Sequence, residues 1–430
     1  MALYGICDQD FKMHIVIVTT GTRGDVQPFL ALAMELQTRG HTICLAAPAN
    51  FDGFVSRQGV PFFRLQGSMK ELLVDHGEGI AGSFGLLQSL PKLARLGTGM
   101  LRDGMLALPR ITENADLIIA HPKCYYATDS AEKYGIPVVV TALQPLHQTA
   151  NFPFFLFGNM NLGPWLNRKS YTILKLQNRF NVGLRNKIRN DLLNLPAFRP
   201  TGVWWNKPGI CSLCAFSAEL VPRPIDWKKS IKQTGFWFPR DVPAWAPDNE
   251  LKAFLEAGEK PVYFGFGSMP FNNQKTNDVV LSALKIWGGR VLVDEGWGGI
   301  HTGDLPGNFC VIKDVPHQEL FKHVSAVVHH GGVGSTAAGL RAGLPTLIVP
   351  HIVDQPFWGA RVHALQCGPK PIRMRHLTIG KLVRRLDELV GHPPYRQNAD
   401  LLGFKLGNEN GVSEAVDWIE RNYTNARVTM

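Results

Sequence analysis

The amino-acid sequence predicts an α/β protein of two doubly wound domains, each built on a parallel sheet, that face each other across a cleft. Short continuous apolar runs of the kind found in buried parallel strands alternate with amphipathic helical segments. This alternation starts twice, near residue 14 and again near residue 261, on either side of a proline-rich stretch. A chain of 430 residues is long enough to bury a core in each half.

The first domain is assigned to residues 13–235, after an extension of residues 1–12 that we expect to be disordered. It opens with an apolar run at 14–20, a turn at 21–25 and an amphipathic helix at 28–39, which a glycine ends. Further strands are predicted at 41–48, 116–120 and 136–141, with helical segments at 89–110 and 128–134 between them.

The second domain is assigned to residues 250–410, and the proline-rich residues 236–249 are the predicted linker. A last amphipathic helix begins at Gly411, within a C-terminal segment of residues 411–430. The other elements predicted in this half are helices at 250–257 and 277–287 and strands at 261–266, 290–293, 324–328 and 345–349.

Several classes of protein are disfavoured by composition and motif spacing. No apolar run approaches the roughly 20 residues of a membrane span, and no cationic start followed by an apolar core predicts export. Seven scattered cysteines predict free thiols and a cytoplasmic location. The spacing of Gly21 and Gly24 is not the G-x-G-x-x-G of a dinucleotide site, so a dehydrogenase is disfavoured.

A glycine-rich turn in the second half is the strongest candidate for a ligand site. The apolar run at 324–328 leads into Gly331, Gly332 and Gly334, and Ser335 then stands near a predicted helix start. Glycines allow close backbone approach, and a helix N-terminus attracts anions, so this pattern is typical of a phosphate site. An ordinary tight turn between strand and helix is the alternative interpretation.

Two further polar groups are predicted at the same edge of the second sheet. His329 and His330 end the strand before the glycine turn, and Asp354 and Gln355 follow the next strand. In open α/β sheets, ligands bind at the carboxyl ends of the strands. A phosphate site beside a carboxylate and an amide suits a sugar attached to a diphosphate.

Two stretches of the second half resemble a known family. His330 to Gly343 reads HGGVGSTAAGLRAG, and Asp354 to Arg361 reads DQPFWGAR. Both closely resemble the donor-binding signature of nucleotide-sugar glycosyltransferases with the GT-B fold, above all sterol 3-beta-glucosyltransferases and the related antibiotic glycosyltransferases. The resemblance extends over most of the chain and is weakest between about residues 150 and 232.

The resemblance implies inverting, metal-independent transfer of glucose from UDP-glucose to a hydrophobic, sterol-like hydroxyl acceptor, with no cofactor. It also implies that the helix from Gly411 crosses back to the first domain. A polyketide, macrolide or flavonoid acceptor, a nucleotide-sugar epimerase, and a non-catalytic nucleotide-sugar or lipid-binding module are the alternatives. The implied donor site comprises Ser268, His330, Gly331, Gly332, Gly334, Ser335 and Thr336 for the diphosphate, Asp354 and Gln355 for the sugar, and Trp297, Val315 and Gln318 for the nucleoside.

Asp25 is the candidate base that would accept the proton of the acceptor hydroxyl. It stands in the turn after the first strand, at the edge that faces the cleft. Capping of the following helix is an equally good interpretation from the residues alone. The resemblance favours the base, because Gly-Ser-Arg-Gly-Asp is the family's motif and only Thr22 departs from it. His121 and His147 are alternative bases, and His147, Phe152 and Phe155 are candidate acceptor contacts.

The formal charge of +10 is concentrated in one segment. Residues 151–232 contain thirteen Lys and Arg against three acidic residues. Residues 165–195 show the periodicity of an amphipathic helix, whose cationic face predicts peripheral contact with an anionic membrane surface, with nearby phenylalanines at the interface. A solvated helix face is an equally weighted alternative, and no nucleic-acid partner is expected because no reading motif accompanies the charge.

Overall fold

The computed structural model describes residues 12–66, 97–158, 160–177, 179, 181–240, 245–266, 274–295, 305–313 and 315–424. The predicted donor ligands Ser268 and Trp297 lie outside these ranges, as do nearly all of the predicted N-terminal extension and part of the linker.

A seven-stranded, wholly parallel sheet forms the first domain and confirms the predicted doubly wound architecture. Its spatial order is β3-β2-β1-β4-β5-β6-β7, so the chain reverses its direction of winding between β1 and β4. The carboxyl ends of β1 and β4 therefore open into one crevice, where ligands of such sheets bind. The strands are β1 His14–Val18, β2 Thr42–Pro48, β3 Phe62–Leu65, β4 Leu117–Ala120, β5 Val138–Ala142, β6 Cys211–Cys214 and β7 Ile231–Gln233.

A second parallel sheet of five strands forms the other domain. Its order is β10-β9-β8-β11-β12, with the reversal between β8 and β11. Its strands are β8 Val262–Gly265, β9 Val291–Asp294, β10 Phe309–Ile312, β11 Ala326–His329 and β12 Thr346–Ile348.

Helices cover both faces of each sheet. Those of the first domain are α1 Arg23–Thr38, α2 Asp52–Ser56, α3 Pro109–Thr112, α4 Ala127–Tyr134, α5 Pro164–Ser170, α6 Ile173–Gln177 and α7 Val182–Asp191, and residues 97–107 are also helical. Those of the second half are α8 Asn249–Glu256, α9 Gln274–Trp287, α10 His317–Leu320, α11 Val333–Arg341, α12 Gln355–Ala364, α13 Ile379–Gly391, α14 Pro393–Gly407 and α15 Gly411–Tyr423. None of the helices in these described ranges is long and apolar enough to cross a bilayer.

The last helix, α15, packs against α1 of the first domain. The apolar face of α15 is buried in the core around β1, with Val412, Val416 and Ile419 almost fully covered. The Arg39 guanidinium, at the end of α1, binds the carboxylates of Asp417 at 2.8 Å and of Glu420 at 3.1 Å. The chain thus returns to the first domain after completing the second.

Helix α1 begins at Arg23, five residues before the predicted start at Pro28. Thr22 is its N-cap, and the side chains of Thr22 and Asp25 form a capping box that stabilises the first turn. Pro28 therefore lies inside the helix. The predicted start at Pro28 is wrong because Thr22 and Asp25, which lie upstream of the proline, cap the helix and fix its first turn.

The predicted single helix over residues 165–195 is wrong, because the chain forms α5, α6 and α7 instead. Asn181, just before α7, has a left-handed φ of 62°, which a continuous helix does not allow. Two of the basic side chains of α7, Arg185 and Arg189, are buried and form ion pairs with Asp129 of α4. Arg185 is therefore not available to a cationic surface, and this part of the predicted membrane face is corrected.

Candidate functional site

Asp25 lies in the first turn of α1, at the carboxyl end of β1. One carboxylate oxygen, Oδ2, accepts hydrogen bonds from the backbone N–H of Thr22 at 2.8 Å and from its hydroxyl at 3.1 Å. Gly21, with φ of 134°, leaves the space that this carboxylate occupies, since a Cβ there would lie 2.1 Å from Oδ2. Asp25 thus has the helix-capping role considered from the sequence.

The other carboxylate oxygen of Asp25 faces two groups that follow β4. The Lys123 ammonium donates to Oδ1 at 3.0 Å, and Nε2 of His121 lies 3.4 Å from the same atom. Because Nδ1 of His121 accepts the Lys123 backbone N–H, a neutral ring carries its proton on Nε2, towards Asp25. Capping therefore uses one oxygen of this carboxylate, and the other oxygen faces Lys123 and His121.

The charges around Asp25 decide its protonation state. Burial raises the pKa of this carboxyl, but Lys123, His121 and the Thr22 amide together hold the pKa well below its usual range. Burial lowers the pKa of His121, so its ring is neutral at pH 7. Asp25 is consequently an ionised carboxylate in a mostly buried position, paired with a half-exposed lysine that the sequence reasoning did not single out.

The glycine turn between β11 and α11 has the geometry of an anion site. Gly331 has φ of 91°, and a Cβ there would lie 2.6 Å from Ile348, so only glycine fits. Gly332 is the N-cap of α11, and a Cβ on Gly334 would meet no atom within 4 Å. The exposed first turn of α11 therefore presents backbone N–H groups and the positive end of the helix dipole to open space.

The hydroxyls that follow the glycines have different positions. Helix α11 begins at Val333, two residues before the predicted Ser335. Ser335 is half-buried in the first turn, whereas Thr336 is fully buried and donates its hydroxyl to the Gly332 carbonyl at 2.9 Å. Ser335 is thus placed to contact an anion, and Thr336 holds the turn in shape.

Two neutral histidines adjoin this turn. Nδ1 of His329 accepts the Gly331 N–H at 2.9 Å, which leaves its buried Nε2 with no partner in the described part of the chain. Burial lowers the pKa of His330 to about 4, and the nearby His317 lowers it further. A hydrogen bond from either ring to a diphosphate would therefore come from a neutral imidazole.

Asp354 and Gln355 begin α12, after β12. Oε1 of Gln355 accepts the backbone N–H groups of His351 at 2.8 Å and Ile352 at 3.1 Å, so this side chain fixes the loop that carries the aspartate. Oδ2 of Asp354 accepts the indole N–H of Trp358 at 2.8 Å. The loop also holds Val353 at φ of 57°, a strained conformation for a β-branched residue.

Asp354 and Asp25 are electrostatically coupled across the cleft. Burial raises the pKa of Asp354, the Trp358 bond opposes this, the charge of Asp25 raises the pKa further and that of Lys123 lowers it. Direct contacts also join the domains nearby, as Phe152 lies 5.9 Å from Phe357 between ring centroids. The carboxyl edges of both sheets therefore meet around one site.

The predicted nucleoside residues lie beside α10. Gln318 is in this helix and Val315 just before it, and both are half-buried. His317 stacks on Phe321 and contacts the Tyr263 hydroxyl through Nε2 at 3.0 Å. The contact between Tyr263 and His317 was not predicted from the sequence, because a tyrosine within an apolar strand gives no local sign of its hydrogen-bond partner.

The candidate acceptor residues are mostly inside the first domain. His147 is buried edge-on against Trp227, and burial lowers its pKa to about 4. Phe155 is buried against Phe154, so neither ring is placed to enter a bilayer. Phe152, half-buried at the contact with α12, is the one of the three candidates that the structure places at the domain boundary.

Two families of domain match the chain. Residues 15–153 match the glycosyltransferase family 28 N-terminal domain. Residues 290–413 match the erythromycin biosynthesis protein CIII-like C-terminal domain. The first match contains Asp25 and Lys123, and the second contains the glycine turn and Asp354.

Solved structures share the fold over nearly the whole chain. The glycosyltransferase of kitacinnamycin aligns with a TM-score of 0.71 at 20% identity, covering 96% of this chain and 99% of that one. The calicheamicin glycosyltransferase CalG4 aligns with a TM-score of 0.68 at 17% identity, covering 97% and 100%. Together with the two parallel sheets, these structures show that the chain has the GT-B fold, and the match to the glycosyltransferase family 28 N-terminal domain places it among glycosyltransferases.

Curated relatives define the family more closely. A sterol 3-beta-glucosyltransferase of Arabidopsis thaliana is 35% identical over 438 residues, covering 96% of this chain and 68% of its own length. The chain belongs to the sterol 3-beta-glucosyltransferase family. It spans 64% of a second Arabidopsis relative at 36% identity, and 30% of an Aspergillus fumigatus relative at 31% identity.

Proposed function

We propose that this protein transfers glucose from UDP-glucose to a hydroxyl of a sterol-like acceptor, with inversion and without a metal ion. The observation that supports the proposal is that the Asp354 loop, which adjoins the α11 glycine turn at Gln355, contacts the first domain through Phe357 and lies close enough to Asp25 for the two charges to interact. The sterol acceptor rests on the names of the plant and fungal relatives.

The second domain would bind the donor. The diphosphate would lie at the first turn of α11, where backbone N–H groups, Ser335 and the helix dipole stabilise the negative charge that grows as UDP departs. His330 would add a neutral donor. Trp358 donates to Oδ2 of Asp354, so the other oxygen, Oδ1, would accept a hydrogen bond from a sugar hydroxyl.

The first domain would activate the acceptor. Oδ1 of Asp25 would take the proton as the acceptor oxygen bonds to the anomeric carbon, while the bond from that carbon to the UDP oxygen breaks on the opposite face. This single displacement converts an α-linked donor into a β-glycoside. Because Lys123 stabilises the carboxylate, Asp25 is a weak base. It would therefore take the proton only once bond formation to the anomeric carbon has made the hydroxyl acidic.

A natural-product acceptor is the second candidate. The kitacinnamycin and calicheamicin enzymes share the fold. The glycosyltransferase VinC, whose structure contains dTDP, also aligns with this chain, with a TM-score of 0.64. These likenesses, at 20% identity or less, concern the fold alone. UDP- and TDP-sugars should therefore be tested together against sterol, flavonoid and macrolide acceptors, with products identified by mass spectrometry.

Asp25→Asn tests the mechanism. The amide retains an oxygen for Thr22 but cannot take a proton, so transfer should fall by at least about 100-fold while UDP affinity, measured by calorimetry, is unchanged. Asp387→Asn, an exposed change on α13, is the matched control and should keep full activity. Near-normal turnover of Asp25→Asn would reject the base assignment and direct attention to His121.

A further inference from the structure

A cationic cavity lies in the first domain beside α5 and α6. Its volume is about 490 Å³, which is within the range of ligand sites. Four basic side chains line it and no acidic one does: Arg168, Lys169, Lys175 and Lys207. The remaining lining comes mainly from α5, α6 and residues 201–208, and none of the residues assigned above to the donor or to proton transfer takes part.

The positive charge of this cavity is only partly compensated. Arg168 pairs with Asp226 at 3.0 Å, whereas Lys169 lies over the Trp165 ring, 5.5 Å from its centroid. Lys175 forms no ion pair within the described residues. Partial burial lowers the pKa of Lys207, and the positive charge of Arg185 lowers it further. The site therefore has a positive potential that an anion would relieve.

Exposed apolar side chains are concentrated in the segment of the chain that includes α5 and the start of α6. Fourteen large apolar side chains are exposed in the described chain, and five of them lie within residues 156–173. Trp165, which lines the cavity, is 68% exposed, and its neighbour Leu166 is 48% exposed. The other three are Leu156, Met160 and Ile173. Tryptophan and aliphatic side chains beside lysines are the composition of segments that lie in a membrane interface.

We propose that this cavity binds the phosphate headgroup of an anionic phospholipid within a bilayer, with Trp165 and Leu166 inserted at the interface. The combination selects the ligand, because a soluble anion would use the lysines but not the apolar side chains. Nucleic acid would meet the same charge but would leave Leu166 and Ile173 exposed to water. The site is separate from the proposed transfer chemistry, so either proposal can fail without the other.

Flotation with vesicles tests this site. The full chain should bind phosphatidylcholine vesicles that contain phosphatidylserine, should not bind phosphatidylcholine alone, and should be released by salt. The double change Lys169→Glu with Lys175→Glu should weaken binding by about 100-fold or more, since it removes two attractive charges and adds two repulsive ones. Trp165→Ala should weaken binding without changing its dependence on salt.

A matched pair of changes separates a site from diffuse charge. Lys228→Glu with Lys229→Glu makes the same change of charge at exposed positions that do not line this cavity, and should weaken binding less than about tenfold. Urea unfolding and transfer to a detergent-dispersed acceptor should be the same for both pairs.

Three outcomes would overturn the proposal. One is the absence of binding to the anionic vesicles. Another is an equal loss of vesicle binding in the two double variants, which would mean that the protein is held at the membrane by its overall charge and not by this cavity. The third is calorimetric binding of glycerophosphoserine or inorganic phosphate that matches the vesicle affinity, because the cavity would then be a site for soluble anions.

Discussion

Replacing Lys123 by methionine should weaken the folded state at neutral pH through its effect on Asp25. The Lys123 ammonium lies 3.0 Å from the carboxylate. Two unit charges at that distance attract by about 5 kcal/mol at an effective dielectric constant of about 20. This is an upper bound, because the Lys123 side chain is 45% exposed and water screens the pair. We expect a loss of about 1–3 kcal/mol in the free energy of unfolding.

The pH dependence identifies the cause of that loss. The pKa of Asp25 is lower in the folded than in the unfolded chain, so its contribution to stability is fully present above the unfolded value of about 4 and is lost as pH falls towards the folded pKa. Without Lys123 the folded pKa rises. The difference between the two proteins should therefore be constant near pH 7 and shrink only as pH falls through the folded pKa of Asp25 in the variant, which lies between the wild-type folded pKa and the unfolded value.

Urea unfolding from pH 7 down to pH 3 measures this difference. Lys405→Met is the control, because Lys405 forms an exposed ion pair with Glu219 and its loss should cost less than about 1 kcal/mol. The reasoning is refuted if Lys123→Met is no less stable than the control, or if its deficit grows as the pH falls from 7 to 3.

Three further predictions concern the turn, the core and the donor. Gly331→Ala should lower the free energy of unfolding by about 2–3 kcal/mol, because residue 331 has a positive φ and a methyl group there would meet the Ile348 side chain. Gly334→Ala should fold normally but bind UDP more weakly in calorimetry, because its methyl group would enter the open space at the turn. Asp129→Asn should lower the free energy of unfolding by about 3–5 kcal/mol in urea, since it leaves two buried guanidinium groups without a full counter-charge. Transfer activity should persist in EDTA, and a complete loss that Mg²⁺ or Mn²⁺ restores would contradict the metal-free mechanism.

The architecture was predictable because its signals are local. Each buried parallel strand is a short apolar run, and the turns after β1 and β11 contain glycines whose positive φ the structure requires. Once strands are assigned, side chains that follow them must gather at one edge of a sheet. The positions of Asp25 and Asp354 followed from this rule, without knowledge of the strand order.

The partners of these residues depend on strand order and were not predictable in the same way. Lys123 is 98 positions from Asp25 and reaches it only because β4 pairs with β1. The break before α7 was missed because the apolar periodicity continues across Asn181, and only the left-handed backbone conformation of this residue ends the helix. Arg185 was assigned to the surface since periodicity does not reveal that Asp129, on another helix, binds it internally.

The return of α15 to the first domain affects the order in which the chain can fold during synthesis. The core around β1 is incomplete until Val412, Val416 and Ile419 have been made and have docked beside α1. Because translation proceeds from the N-terminus, the first domain begins to form earliest but is completed last. Until then the apolar surface beside α1 that α15 covers in the folded protein stays exposed.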